Sequence, residues 1–107
     1  MADRAVASVL PELRAELQRL LGERLEGVYL YGSRARGEAR PDSDIDVLVV
    51  VRGGVDYGAL IEATSEVVAR LSLQHDVVIS RAFVSAERFA HEQSPFLMNV
   101  RREAVAV

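Results

Sequence analysis

Residues 28–51 restrict the fold of this chain more than any other part of its sequence, because they contain two segments suited to buried strands. The first, residues 28–31, ends at a Gly-Ser pair. The second begins at Asp44 and continues into five consecutive apolar residues, 47–51. An apolar run of this length between turn signals is typical of a strand covered on both faces. The stretch therefore predicts two strands joined by a connection at residues 33–43.

Two carboxylates stand at the start of the second predicted strand. Asp44 and Asp46 are two residues apart, so on a strand both side chains point to the same face of the sheet. Carboxylates this close repel each other unless a cation lies between them. Taken alone, an Asp-x-Asp pair suits a solvated strand end better than a site. The motif just upstream shifts the interpretation toward a divalent metal site.

That upstream motif is Gly32-Ser33, which follows the first strand directly. Glycine lets the backbone approach a ligand closely, with φ angles that other residues avoid. Ser33 offers a hydroxyl and a backbone N–H, and we expect it at the N-cap of a short helix. Helix N-termini attract phosphate, and Arg34 and Arg36 add positive charge, although either arginine alone suits a solvated surface equally well. Phosphate binding beside metal-binding carboxylates predicts a nucleotide site with Mg²⁺.

The combined pattern resembles a known signature. Gly32-Ser33, ten residues, then Asp44-x-Asp46 is similar to the signature of the polymerase-β-like nucleotidyltransferase superfamily. The strings Gly-Ser-Arg-Ala-Arg-Gly and Ser-Asp-Ile-Asp-Val resemble its smallest branch, the minimal nucleotidyltransferases. The resemblance extends from the first helix to about Ile79. It implies one minimal nucleotidyltransferase domain over residues 1–107 with an α/β (α+β) fold, a small mixed β-sheet flanked by helices.

The resemblance also implies a function. Family members of this size often occur as antitoxins paired with HEPN-domain ribonuclease toxins. The implied reaction is therefore Mg²⁺-dependent transfer of AMP from ATP to a hydroxyl, a tyrosine of a partner HEPN toxin, by a protein adenylyltransferase. Two alternatives stay open: an antitoxin that neutralises its toxin by binding alone, and a nucleotidyltransferase that modifies small molecules of the aminoglycoside type.

A third carboxylate, Asp76, precedes a shorter apolar run. Residues 76–79 predict a third strand, with an extension to residue 84 left open. In isolation, an Asp at this place suits a strand end in water, since burying it would cost free energy. Beside an Asp-x-Asp strand, it matches the third carboxylate of the family.

The family pattern implies a role for each of these residues. Asp44 and Asp46 would bridge two Mg²⁺ ions, and Asp76 would bind the ion next to the attacking hydroxyl and accept its proton. Gly32 and Ser33 would hold the β- and γ-phosphates of the incoming nucleotide. Arg34 and Arg36 are added as nucleotide-binding candidates because of their charge.

Apolar residues at helical spacing predict helices around the sheet. The main part of the first helix should begin near residues 8–11, because Pro11 suits a first turn better than a helix interior, and it should end at Gly22. A second helix should run from an N-cap at Asp56 to near Ser72. Ser94-Pro95 predicts the start of the last helix.

The net charge and the residue types in the sequence limit the kinds of partner and of chemistry that we expect for this chain. The net charge is −3 with a pI near 5.4, whereas an extended nucleic-acid face usually needs a basic surplus. A basic protein partner, in a hetero-oligomer, fits this charge better than nucleic acid as the main substrate. All thirteen basic residues are arginine, and there is no cysteine, which excludes disulfides and thiolate chemistry. With no membrane-spanning segment visible, we expect a cytoplasmic protein.

Overall fold

The computed structural model describes residues 3–107, which form a four-stranded sheet with helices on both faces. A 3-10 turn, Gly22–Arg24, links the first helix to the first strand. In chain order the elements are α1 (Arg4–Leu21), β1 (Leu25–Tyr31), α2 (Ser33–Arg36), β2 (Ile45–Val51), α3 (Tyr57–His75), β3 (Ile79–Ser85), α4 (Ala86–His91), α5 (Pro95–Glu103) and β4 (Val105–Ala106).

The sheet is mixed and its strand order is β3-β2-β1-β4. β1 is antiparallel to both β2 and β4, whereas β2 and β3 are parallel and are connected by α3. A parallel pair needs a crossover of this kind, because the chain must return to the same end of the sheet. The predicted α/β fold, a small mixed sheet flanked by helices, is confirmed.

β2 is the strand that both layers of helices cover. Its alternate residues divide between two apolar clusters, as the pleat requires. Facing α1 and α3 are Ile45, Val47, Val49 and Val51, each no more than 1% exposed. Facing α4 and α5 are Leu48 and Val50, which pack with Val84, Leu97 and Val100. The interpretation of this apolar run as a buried strand is confirmed.

α1 begins at Arg4 and carries Pro11 in its interior, so the expected start near residues 8–11 is wrong. The Asp3 side chain caps the helix by accepting the Val6 N–H at 3.1 Å. Proline inside a helix removes one backbone hydrogen bond and costs about 3 kcal/mol. Burial of apolar side chains offsets that cost, at roughly 1.5–3 kcal/mol for each. The buried side chains of α1 are Val9, Leu10, Leu13 and Leu17.

α3 passes its expected end at Ser72 and continues to His75, and β3 begins only at Ile79. The predicted start of the strand at Asp76 is therefore wrong. Asp76 has a left-handed backbone, with φ 52° and ψ 51°, and the N–H groups of Asp76 and Val77 bond back to carbonyls of the last helical turn. This geometry closes a helix and is one that glycine usually supplies.

Two short helices cover the other face of the sheet. The side chains of Ser85 and Ser94 cap α4 and α5 by accepting the N–H groups of Arg88 and Leu97, and the predicted start of the last helix at Ser94-Pro95 is confirmed. None of the helices within residues 3–107 combines the length and the hydropathy that crossing a lipid bilayer requires.

The interior position of Pro11 leads to a stability prediction. Pro11→Ala should raise the free energy of unfolding by about 1–3 kcal/mol, because alanine restores the missing N–H and suits a helix. Urea denaturation followed by circular dichroism measures the difference. Ser8→Ala, exposed on the same helix, is the control and should change it by no more than about 0.5 kcal/mol. Equal stability of Pro11→Ala and the parent would mean that α1 is interrupted at this residue.

Candidate active site

The antiparallel pairing of β1 and β2 brings the two sequence motifs together. Tyr31, the last residue of β1, is paired with Asp46, the second residue of β2. Asp44 stands just ahead of β2 and, by alternation, lies on the same face of the sheet as Asp46. Asp44 is exposed and Asp46 is half-buried. Both carboxylates are therefore presented to solvent beside the turn that follows β1.

Gly32 is in contact range of the Asp46 carboxylate. Its backbone has φ 77°, which disfavours any side chain, and a methyl group at its Cβ position would collide with Oδ2 of Asp46. Two features require glycine at this position: its positive φ angle, and the carboxylate of Asp46, which leaves no room for a side chain. The sequence predicted that the backbone at this glycine approaches a ligand closely. In this structure the group that lies against it is the carboxylate of Asp46.

α2 is a single helical turn that follows the glycine. Gly32, not Ser33, occupies its N-cap position, so the expected place of Ser33 is shifted by one residue. The N–H groups of Ala35 and Arg36 both bond to the Gly32 carbonyl. Gly37, with φ 73°, ends the turn. Ser33 is consequently the first helical residue and is half-buried.

The charge of Asp44 acts on the neighbouring carboxyl group of Asp46. Burial and the neighbouring Asp44 charge raise the pKa of Asp46, and Arg36 partly opposes this. The pKa of Tyr31 is also raised, first by burial and then by the charge of Asp46. Negative charge therefore accumulates at this point of the sheet.

Arg34 does not have the role expected from the sequence. Its side chain is only 4% exposed. The guanidinium donates to both carboxylate oxygens of Asp3 at 3.0 and 2.9 Å, and to the Ser43 carbonyl at 3.0 and 2.7 Å. The structure corrects its assignment as a nucleotide ligand, because a buried guanidinium with these partners is not available to phosphate. Arg34 instead ties the start of α1 to the residue before Asp44.

Arg36 remains at the surface near the carboxylates. It forms ion pairs with Glu38 at 2.6 Å and with Glu103 of α5 at 3.2 Å. Because these partners are exposed or partly exposed, the pairs contribute little free energy and can be exchanged for another anion. Arg36 therefore stays a candidate for contact with nucleotide phosphates.

Asp76 is exposed and forms the C-cap of α3. The residue paired with Asp46 on β3 is Ser80, and the Val78 carbonyl accepts the N–H of Ile45 at 2.8 Å. Within residues 3–107, no group of three His, Cys, Asp or Glu side chains is arranged to hold a metal ion. The role of Asp76 as a third metal ligand therefore stays a prediction, and the described residues do not form a three-ligand group.

The two carboxylates that do come together suit Mg²⁺. This ion is usually bound through one or two protein carboxylates, with waters and substrate phosphates filling the other positions. Asp44 and Asp46 lie on one face and repel each other, and the absent side chain of Gly32 lets the Asp46 carboxylate lie against the backbone of the turn. A cation would relieve that repulsion, so the donor set fits the implied ion.

Comparisons with known proteins show the family to which the chain belongs. Residues 10–102 match the model of the family described as Nucleotidyltransferase domain. The protein adenylyltransferase MntA of Thermococcus cleftensis is 35% identical over 80 residues, which cover 75% of this chain and 79% of that protein. A relative from Methanocaldococcus jannaschii is 31% identical over 77 residues, covering 70% of this chain and 75% of that protein.

Solved structures share the fold. The crystal structure of a toxin-antitoxin with AMP-PNP has a TM-score of 0.59 at 21% identity, covering 89% of this chain and 69% of that chain. A mutant of the toxin-antitoxin MntA-HpeT has a TM-score of 0.56 at 21% identity, again covering 89% and 69%. At this level of identity the likeness concerns the fold alone.

The raised pKa of Asp46 predicts how stability depends on pH. The protonated carboxyl group of Asp46 favours the folded state, fully below the unfolded pKa of about 3.9. This stabilisation is lost as the pH rises through the higher folded pKa. Asp46→Asn should therefore raise the metal-free free energy of unfolding at pH 7, with the gain disappearing near pH 3. Urea denaturation across this pH range measures it.

Asp42→Asn is the matched control, because Asp42 is an exposed carboxylate outside the pair. Its effect should stay within about 0.5 kcal/mol at every pH. A loss of several kcal/mol in Asp46→Asn at pH 7 would show that the carboxylate supports the fold and would remove it from the candidate site.

Proposed function

Since the chain belongs to the nucleotidyltransferase domain family and is a nucleotidyltransferase, we propose that it is a protein adenylyltransferase that modifies a partner toxin. In this proposal it transfers AMP from ATP to a tyrosine hydroxyl of a HEPN-domain toxin and acts as the antitoxin. Support comes from the adenylyltransferase activity in the name of the Thermococcus relative and from the toxin-antitoxin structures that share the fold.

One observation carries the proposal: Gly32 directly adjoins the carboxylate of Asp46. A turn suited to phosphate and a carboxylate pair suited to Mg²⁺ thus form one site. In the proposal, the turn at Gly32 and Ser33 holds the β- and γ-phosphates of ATP. Arg36 exchanges its surface ion pairs for phosphate oxygens, which its planar guanidinium binds well.

Asp44 and Asp46 would hold the metal in this proposal. Bound Mg²⁺ would neutralise phosphate charge and stabilise the leaving pyrophosphate. The protein supplies two carboxylates on one face, and the nucleotide supplies further oxygen ligands. A second ion would need another protein ligand, and Asp76 is the residue that the family pattern offers for it.

The proposed reaction is an in-line displacement at the α-phosphorus. The acceptor oxygen forms a bond to phosphorus, and the bond from phosphorus to the oxygen that bridges to the β-phosphorus breaks. Pyrophosphate leaves with that electron pair, and the hydroxyl proton passes to solvent. This chain contributes by holding the leaving group at Gly32-Ser33 and by fixing the α-phosphate opposite the incoming oxygen.

Among residues 3–107 no third acidic or histidine side chain joins Asp44 and Asp46 in a metal-binding group, which favours the second candidate function, an antitoxin that acts by binding alone. The two functions differ in whether the carboxylates are needed. A nucleotidyltransferase loses its effect on the toxin when they are replaced, whereas a binding antitoxin does not.

Intact-mass spectrometry separates these functions. Incubated with ATP, Mg²⁺ and a HEPN-domain toxin, the parent chain should add AMP to the toxin. Asp44→Asn should still bind the toxin and transfer nothing, while Asp42→Asn should transfer normally. Complete neutralisation of the toxin by Asp44→Asn would establish the binding function instead. Modification of an added aminoglycoside, with the toxin unchanged, would make small molecules the substrate.

The contact between Gly32 and Asp46 predicts a second outcome. Gly32→Ala should weaken ATP binding in the presence of Mg²⁺ at least tenfold, because the new methyl group displaces the carboxylate. Isothermal titration calorimetry measures the affinity. Gly53→Ala is the control: its φ of 81° gives the same backbone strain, of about 1–2 kcal/mol, but nothing lies within 4 Å of its Cβ position. Equal losses in both variants would remove the contact from the argument.

A further inference from the structure

We propose that Arg34 is a positioning residue, whose buried guanidinium holds the backbone before Asp44 and so fixes the more exposed of the two carboxylates for Mg²⁺. Asp3, at the start of α1, keeps that guanidinium in place. The inference rests on the proposed function and deepens it, because it assigns part of the metal site to two residues that do not touch the metal.

The two carboxylates are held in different ways. Asp46 lies inside β2, where its backbone is paired with Tyr31 on β1 and with Ser80 on β3. Asp44 stands ahead of Ile45, the first residue of β2, and is exposed. Among residues 3–107 its carboxylate forms no ion pair. The sheet therefore fixes Asp46, whereas the position of Asp44 depends on the segment that leads into the strand.

Both peptide groups of Asp44 are hydrogen-bonded, one to Arg34 and one to the neighbouring strand segment. On the first side, the Ser43 carbonyl accepts hydrogen bonds from Nε and Nη2 of Arg34 at 3.0 and 2.7 Å. On the second side, the Ile45 N–H donates to the Val78 carbonyl at 2.8 Å. The backbone of Asp44 is thus restrained from both directions before any metal binds.

The segment before Asp44 is a closed turn that rests on the same guanidinium. The Ser43 N–H donates to the Arg40 carbonyl at 3.0 Å, and the Ser43 hydroxyl accepts the Arg40 N–H at 2.9 Å. The Pro41 carbonyl accepts from Nη2 of Arg34 at 3.4 Å. Because the turn is closed on itself, the position of Arg34 determines where the chain enters Asp44.

The planar fork of arginine allows all these bonds to form together. Nε and Nη2 donate to the carbonyls, while Nη1 donates to both carboxylate oxygens of Asp3. A lysine ammonium is a compact charge on a flexible stem and does not span both groups. Since the Arg34 side chain is only 4% exposed, its charge needs the paired carboxylate. Asp3 is itself fixed by the Val6 N–H that it accepts.

A carboxylate that is held in advance should bind Mg²⁺ more tightly. The ion demands near-octahedral geometry, and a ligand already in place loses less conformational freedom on binding. Loosening the segment before Asp44 should therefore weaken the binding of Mg²⁺ and leave the nucleotide's own contacts at Gly32-Ser33 intact.

Calorimetry of ATP binding, with and without Mg²⁺, tests this role. Asp3→Asn keeps a good capping group on α1 and removes the charge beside the guanidinium. In this variant the gain in ATP affinity that Mg²⁺ produces should fall at least fivefold, with the affinity without Mg²⁺ unchanged within twofold. Arg34→Lys should behave in the same way. The double variant should lose no more than the weaker single variant, because both changes break one connection.

Asp56→Asn is the matched control. Asp56 caps α3 as Asp3 caps α1, by accepting the Ala59 N–H at 3.1 Å, and within residues 3–107 it forms no ion pair. The control should leave both ATP affinities unchanged. If circular dichroism shows that Arg34→Lys does not fold, the comparison of Asp3→Asn with Asp56→Asn decides the question.

A metal-free measurement reports the position of Asp44 directly. The NMR order parameter of the Asp44 amide should be about 0.85 in the parent and in Asp56→Asn, as in rigid backbone, and below about 0.6 in Asp3→Asn. Asp46 should keep its value in every variant, because the sheet holds it. In AMP transfer to the toxin, Asp3→Asn should need more Mg²⁺ and reach the parent's kcat once Mg²⁺ is saturating.

The remaining outcomes separate this inference from the proposed function. If Mg²⁺ strengthens ATP binding equally in the parent and in Asp3→Asn, or if the Asp44 amide is mobile in the parent, the proposed function stands and the positioning role is wrong. An equal loss of ATP affinity with and without Mg²⁺ would show a general effect on the fold and would also overturn that role. If Mg²⁺ does not affect ATP binding by the parent, the proposed function fails, and this inference fails with it.

Discussion

The burial of β2 on both faces is the constraint on which the rest of the structure depends. Its residues alternate between a cluster under α1 and α3 and a cluster under α4 and α5. The same alternation puts Asp44 and Asp46 in line with Leu48 on the second face. The register that fills the core therefore also fixes which face carries the charge. A shift of one residue would bury both carboxylates and expose the apolar side chains that now hold the helices.

The features that could be predicted from the sequence are those that depend on residues close together in the chain. The apolar run of β2 required a covered strand, and the N-cap signal at Asp56 indicated the helix that follows it. Serine and aspartate at helix starts act within three residues, so the caps of α3 and α5 could be recognised directly. The adjacency of Gly32 to the carboxylates was implied by two motifs on consecutive strands, which pair with each other in this sheet.

The features that the sequence missed depend on distant partners or on small energy differences. Arg34 looked like a phosphate ligand because its partner, Asp3, lies at the far end of α1. Pro11 looked like a helix start because the buried face of α1, which outweighs its cost, exists only in the fold. Asp76 adopts the left-handed conformation that glycine usually supplies at a helix C-terminus. As a result α3 is longer than predicted and β3 begins later than predicted. β4 is only two residues long and carries no periodicity of its own.

The bonds of Arg34 have a consequence for how the molecule opens locally. Asp3 caps the first turn of α1 and also holds the guanidinium that fixes the Ser43 carbonyl, just before Asp44. Fraying of that turn would release both bonds together. The start of α1 and the approach to the carboxylates therefore belong to one cooperative unit, although they lie far apart in the sequence. Their amide hydrogens should exchange with solvent as a group, and any ligand that orders the loop before Asp44 should slow exchange at the first turn of α1.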